Sequence, residues 1–377
     1  MFPHLRYTRE EIGDYFLSVT EEAIYASLRK ARPGWFDLLN LISPTAAAFI
    51  EPMREQARRA RLRHYGRTVS VYAPLYIGNT CVNSCLYCDF SQRRKGLARR
   101  NLTLTEIDRE ADALKRSNLD TVLVVAGEDP LVNTVEHLVD VGRLLSSRFS
   151  NLLLEVAPQS ENAYRQLFAA GYEGLVCFQE TYDPARYRMM HPSGPKSDYT
   201  WRLETQLCAG RVGFRTLGCA FLLGLAPWRE EAASLAAHAL YLMRECPHSK
   251  IQFAFPRLCR VEGVFLPPCE VGEHELEQLM LAFRIAFPQC AITVSTRESP
   301  EFRDQIVLDA ADNMSAGSCT TPGGYAAPSG DIAQFQLNDS RPPNEVYAAI
   351  RSHGQEVVFK TWDGRIRDQE KGIDNAV

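Results

Sequence analysis

The chain has 377 residues, 45% of them hydrophobic and 23% charged, with 11 cysteines and a formal net charge of −4. That balance suits a globular enzyme and excludes collagen, a disordered tail and a coiled coil, and the length allows one barrel-sized domain or two smaller ones. No run of about 18 apolar residues offers a membrane span and the first residues lack an apolar signal core, so a cytoplasmic location is expected, where cysteines do not form a disulfide framework.

Residues 1–66 read as a helical extension, with breaks at Pro33-Gly34 and Pro44 and a long arginine-faced run after Pro52. Residues 1–100 hold 16 Lys and Arg against 9 Asp and Glu, and two basic runs, Arg54 to Arg67 and Arg93 to Arg100, account for the excess. Such runs can mark a nucleic-acid surface. With an acidic chain overall, the better reading is a solvated helix face followed by a loop near an anionic small molecule.

From Thr68 onward, short apolar runs alternate with amphipathic stretches of roughly 10–15 residues. The runs are 69–76, 121–126, 152–157, 174–178, 216–222, 251–255, 291–295 and 312–316, the last being the weakest strand pattern. Between the first two, Thr103 and Glu106 have the spacing of a capping box. Strands alternating with helices imply a parallel sheet buried on both faces, and eight of them in this length fit an α/β fold of the (β/α)8 TIM-barrel type. Ligand-binding residues are then expected just beyond the carboxyl ends of the strands. The predicted division is an N-terminal extension (1–66), a barrel (67–318) and a C-terminal loop and helical tail (319–377).

Immediately after the first strand stands Cys81-Val-Asn-Ser-Cys85-Leu-Tyr-Cys88. Cysteines at i, i+4 and i+7 on one loop can converge on an inorganic centre. Structural zinc wants a fourth ligand, usually from a second short-spaced pair, and Cys177, Cys208 and Cys219 are isolated. Three thiolates instead suit a [4Fe–4S] cluster with one iron open to a small-molecule ligand. The remaining eight cysteines read as packing.

This motif, CxxxCxYC after the first strand of a (β/α)8 barrel, resembles the signature of radical S-adenosylmethionine (SAM) enzymes. Further likeness runs through SVYAPLYIGNTCVNSCLYCDFS, VLVVAGE, FQETYDPARY, WRLET, FPRL, STRESPEFRD, NMSAGS, TPGGYA and DSRPPNEV. Together these resemble the aromatic amino acid lyase branch, and within it the 2-iminoacetate synthases, tyrosine lyases that serve the thiazole of thiamine. The resemblance implies cleavage of the Cα–Cβ bond of L-tyrosine to 2-iminoacetate and p-cresol, with a [4Fe–4S] cluster and SAM as cofactors.

It also implies roles residue by residue. Cys81, Cys85 and Cys88 hold the cluster. Tyr87 within the motif, Gly127 and Glu128 after the second strand, Glu180 after the fourth, and Arg202 bind the cofactor, Arg202 at its carboxylate. Arg297, after the seventh strand, pairs with the substrate carboxylate. Ser315, ending the eighth, hydrogen-bonds close by, and Tyr76 lines the substrate amino end. His191 reads as a loop histidine. The loop 320–330, rich in glycine and proline, would lie by the barrel mouth as a candidate lid.

Expected partners are a low-potential electron donor such as flavodoxin or ferredoxin and a thiazole synthase, with no nucleic acid and no membrane. A tryptophan lyase of the same branch is the nearer rival, and a zinc-stabilised RNA-binding protein a distant one. The tyrosine lyase of hydrogenase maturation has a further cysteine-containing C-terminal domain. Here Cys319 is the last cysteine and the final 58 residues have none, which favours the thiazole branch.

Overall fold

The computed structural model describes residues 6–258, 265–327 and 333–360. Four helices come first: α1 (Arg9–Ser18), α2 (Glu21–Arg29), α3 (Trp35–Ile42) and α4 (Ile50–Tyr65). Strands and helices then alternate: β1 (Thr68–Gly78), α5 (Leu104–Arg116), β2 (Thr121–Ala126), α6 (Val135–Ser146), β3 (Asn151–Glu155), α7 (Glu161–Ala169) and β4 (Tyr172–Val176). After β4 come α8 (Pro184–Met190), α9 (Tyr199–Val212), β5 (Thr216–Ala220), α10 (Trp228–Glu245), β6 (Lys250–Ala254), α11 (Glu273–Ala286) and β7 (Ala291–Val294). The series ends with α12 (Pro300–Asp309), β8 (Asn313–Ser315), α13 (Pro343–Ser352) and β9 (Glu356–Val358).

All pairings are parallel, and β1 joins both β8 and β2, so eight strands close into the expected barrel. Alternation sorts the side chains of β1. Val69, Val71, Ala73, Leu75 and Ile77 belong to the core shared with the helices. Tyr72 and Tyr76 join Leu123, Val125, Leu153 and Val176 in a second apolar cluster, inside the ring. The capping box is present: Glu106 N donates to Thr103 Oγ1 (3.3 Å) and Thr103 N to Glu106 Oε2 (2.8 Å).

The first 66 residues are less separate than their sequence suggests. Ile12, Leu38 and Met53 share the barrel's outer core, with α3 and α4 lying against α11. The basic run of α4 is a solvated face only in part: Arg58, Arg59 and Arg63 are exposed, while other contacts tie it to the barrel. Arg54 bonds Glu277 of α11, Arg58 bonds Asp309 of α12, and Arg61 is fully buried. Arg61 donates to the carbonyls of Ala311 (2.7 Å), Gly66 (3.0 Å) and Thr68 (2.9 Å) and to Gln355 Oε1 (3.2 Å) at the barrel floor. The second run is committed in part: Arg94 pairs with Asp89, and Arg99 donates to the carbonyls of Asn79, Phe90 and Ser91, while Arg93 and Lys95 are exposed. Folding thus uses part of these charges.

A ninth strand was not expected. β1 is long enough that β2 covers only its Ala73–Gly78 end, and β9 pairs with Thr68–Ser70 along the rest of that edge. The loop proposed as a lid is tied down over its described part. The Tyr325 hydroxyl donates to Pro74 O (2.9 Å) and Ala326 N to Glu110 Oε1 (2.6 Å), while residues 328–330 lie outside the described residues.

Candidate active site

All eleven residues singled out in the sequence line one cavity at the carboxyl ends of the strands: Tyr76, Cys81, Cys85, Tyr87, Cys88, Gly127, Glu128, Glu180, Arg202, Arg297 and Ser315. The cavity holds about 1830 Å³ of atom-free space, its open mouth included.

The cysteine loop keeps its shape by leaning on the segment between α8 and α9. Ser84 N donates to Ser193 O (3.1 Å), Leu86 N to Met190 O (3.1 Å), and Lys196 N to Asn83 Oδ1 (2.8 Å). Gly194, at φ +95°, is required there, because a Cβ would fall 2.4 Å from Asn83 Oδ1 and 2.8 Å from its Cα. Gly127 has a related duty. Its missing side chain admits the Thr80 carbonyl, 2.1 Å from where a Cβ would stand, so its first contact is with the loop rather than with a ligand.

Cys81, Cys85 and Cys88 are free thiols. Burial pushes the Cys85 thiol up to about 12 and the Cys88 thiol up to about 11, so a bound metal is what would make thiolates of them. Among the described residues, no three His, Cys, Asp or Glu side chains draw close enough to chelate one ion. Three thiols spread along one wall fit an iron–sulfur cluster, which offers each of them a separate iron.

Next to this wall lies a buried charge network. Arg202 Nη1 meets Glu128 Oε1 at 2.8 Å and its Nη2 lies 3.6 Å from Glu180 Oε1, while Arg202 Nε donates to Phe178 O at 2.6 Å. Lys196 Nζ meets Glu180 Oε1 at 2.8 Å, and Asn83 Nδ2 donates to Glu128 Oε2 at 2.8 Å. Burial alone would raise both carboxyls, but Arg202 and Lys196 outweigh it and hold them below their usual range. Two cations thus face two anions. Glu180 lies beyond the end of β4, as expected, with a left-handed φ of +68°. Non-glycine residues adopt that conformation rarely, most often at functional sites.

His191 is more than a loop residue. It is buried, its Nδ1 pairs with Tyr187 O and its Nε2 with the Tyr87 hydroxyl, both at 2.8 Å. It thereby orients the aromatic ring of the cysteine motif.

Across the cavity, the Arg297 guanidinium stacks 3.5 Å from the centre of the Phe335 ring, while its neighbour Glu298 is bound to Arg257 (Nε–Oε2 2.9 Å). Ser315 Oγ accepts from Thr296 N at 3.1 Å. The Tyr76 hydroxyl donates to Gln334 Oε1 at 2.6 Å. Among the lining residues that the sequence reading did not single out are Asn83, Glu155, Lys196, Gln334 and Phe335. Asn83 lay inside the quoted motif, and Glu155 is a lone acid at the end of an apolar run. Those two left a sequence trace; the other three come from loops without a motif.

A (β/α)8 barrel with three free thiols on its first loop and a charge network beside them is the architecture of a radical SAM enzyme. Residues 75–235 match the model of the radical SAM superfamily and 254–356 that of the biotin and thiamin synthesis associated domain. The chain is 37% identical over 328 residues to the 2-iminoacetate synthases of Salmonella typhimurium and Escherichia coli, covering 87% of each chain compared. The crystal structure of HydG, a maturase of the [FeFe]-hydrogenase, superposes with a TM-score of 0.86 at 28% identity, over 93% of this chain and 80% of that one. The chain belongs to the radical SAM superfamily, in the family of the 2-iminoacetate synthases. Its cofactors are a [4Fe–4S] cluster and SAM.

Proposed function

We propose that this enzyme cleaves the Cα–Cβ bond of L-tyrosine to 2-iminoacetate and p-cresol. The observation that carries the reading is the shared cavity. The thiols of Cys81, Cys85 and Cys88 and the guanidinium of Arg297 line the same space, as a radical acting on a bound amino acid requires. When bound, the reduced cluster and SAM supply a 5′-deoxyadenosyl radical.

The chain's own residues place and shield the reactants. The three cysteines hold the cluster. Glu128, Glu180 and Arg202 exchange part of their mutual pairing for the charged ends of SAM, with Tyr87 and Gly127 lining its site. Arg297 takes the substrate carboxylate, since its planar fork matches a carboxylate with two bonds. Ser315 and Tyr76 bound the same end of the substrate, which fixes the hydrogen presented to the radical. The apolar ring of Leu123, Val125, Leu153 and Val176 keeps water from the intermediates. An external low-potential reductant, a flavodoxin or ferredoxin, fits the electron requirement, and a thiazole synthase is the proposed acceptor of the labile imine.

Reconstituted protein incubated anaerobically with dithionite, SAM and either L-tyrosine or L-tryptophan tests this reading. Release of p-cresol from tyrosine is the expected result. An indole acid from tryptophan, with no p-cresol from tyrosine, would overturn it.

A further inference from the structure

Glu155 ends β3 and has no part in the site so far. Leu153, two residues earlier, belongs to the cluster inside the barrel, so the period of a strand aims Glu155 inward as well. Register places it further. Tyr76 of β1 pairs with Val125 of β2, and Val125 pairs with Glu155, so the three lie in one row of paired residues across the sheet. Two strand spacings, about 10 Å, separate the backbones of Tyr76 and Glu155. In a ring of eight, β3 stands opposite β7, so Glu155 faces the wall from which Arg297 projects.

Its carboxylate lines the cavity but, among the described residues, has no hydrogen bond or ion pair, whereas Glu128 and Glu180 are each bound to a cation. The groups around it are Tyr72 and Tyr76 of β1, Glu180 and Lys196 beyond β4, Arg202 of α9 and Arg297 beyond β7. Burial, and then the charge on Glu180, push its carboxyl up to about 7 against the pull of Lys196, Arg297 and Arg202.

An α-amino acid brings two charges into this space. Arg297 matches the carboxylate, and a carboxylate in register with Tyr76 through Val125, with no ion pair of its own among the described residues, matches the ammonium. We propose that Glu155 pairs with the substrate ammonium and takes one proton from it. The ammonium becomes a neutral amine and the Glu155 carboxylate a carboxylic acid, and no electron moves. The amine then carries the N–H hydrogen from which a radical abstracts without a positive charge on nitrogen. This assignment rests on the amino acid lyase reading above and names a residue that serves it.

The test uses cluster-loaded enzyme with SAM and three ligands measured by equilibrium dialysis. They are L-tyrosine, L-phenylalanine (no phenol) and 3-(4-hydroxyphenyl)propanoate (no amine). Glu155→Gln should weaken tyrosine and phenylalanine alike by at least tenfold and leave the propanoate unchanged. In turnover, the acid limb of kcat/KM near pH 7 should disappear in the same variant. If tyrosine and the propanoate weaken together while phenylalanine is spared, Glu155 serves the phenol and the proposal is wrong; unchanged affinities overturn it equally. Glu155→Asp, which keeps the charge one methylene short, should recover part of the tyrosine affinity, and equal loss in both variants counts against the pairing. Absence of tyrosine binding in the unaltered enzyme would instead sink the lyase reading itself.

Discussion

Arg202 and Glu128 meet at 2.8 Å on the cavity wall, and the guanidinium that joins them also reaches toward Glu180 and the carbonyl of Phe178. One side chain thus neutralises two acids from two different loops. Arg202→Ala would leave Glu128 and Glu180 buried together with only Lys196 between them. Breaking a buried pair from one side costs about 3–5 kcal/mol. The variant should melt earlier and bind SAM at least tenfold more weakly, read by thermal unfolding and equilibrium binding. Arg202→Lys should recover little, since an ammonium cannot span both acids.

The eleven cysteines divide by position. Replacing Cys81, Cys85 or Cys88 with alanine should abolish the broad visible absorbance of the reconstituted cluster while far-ultraviolet circular dichroism stays the same. Cys219 is buried in the outer core, away from the loop. Cys219→Ala should retain the cluster and lose about 1–2 kcal/mol of stability through a small void. Loss of iron in that variant as well would show that the three-cysteine assignment is incomplete.

Removing the substrate clamp should uncouple two reactions. In Arg297→Ala the thiols and the Arg202 network are untouched, so SAM cleavage has what it needs. Formation of p-cresol should fall at least a hundredfold while 5′-deoxyadenosine continues to accumulate. Quantifying both products from one reaction by chromatography decides it, and parallel loss of the two would argue against the role given to Arg297.

Glu155 also has a signature in stability. Its carboxyl titrates at about 7 in the fold and at about 4.5 as an unperturbed glutamate. A raised carboxyl pKa means the fold disfavours the ionised form. The penalty is fully present above pH 7 and gone below about pH 4.5, with a ceiling on the order of 3 kcal/mol. At equal cluster loading and without substrate, Glu155→Gln should therefore be more stable than the parent at pH 8. Denaturant unfolding at several pH values should show that advantage shrinking toward pH 5.

Much of this was legible in the sequence because barrels write themselves as alternating runs. Even the three-residue β8 followed from Met314 and its neighbours coming at the right interval. The cysteine loop was legible because spacing is local. What resisted reading was pairing at a distance. On α4, the ion pairs of Arg54 and Arg58 were hidden because their acids, Glu277 and Asp309, lie more than 200 residues away. Glu155 looked like the polar end of a strand, and only the register with Val125 and Tyr76 turns it into the cavity. β9 is three residues long, too short to carry a pattern, and exists because β1 outruns β2.

That short strand has a consequence for how the chain is made. Until Glu356–Val358 have emerged, the lower edge of β1 lacks its β9 partner, leaving open the Arg67 carbonyl that Glu356 N takes at 2.6 Å, and an open edge of this kind recruits strands from other chains. A strand made after all eight barrel strands thus shields the strand from which the barrel starts. A chain stopped after Ser352 should aggregate during expression far more than the full one, and light scattering of the two at equal concentration would reveal it. Such a fragment would still contain every thiol, acid and guanidinium of the site, yet would pass its time in assemblies where none of them is reached.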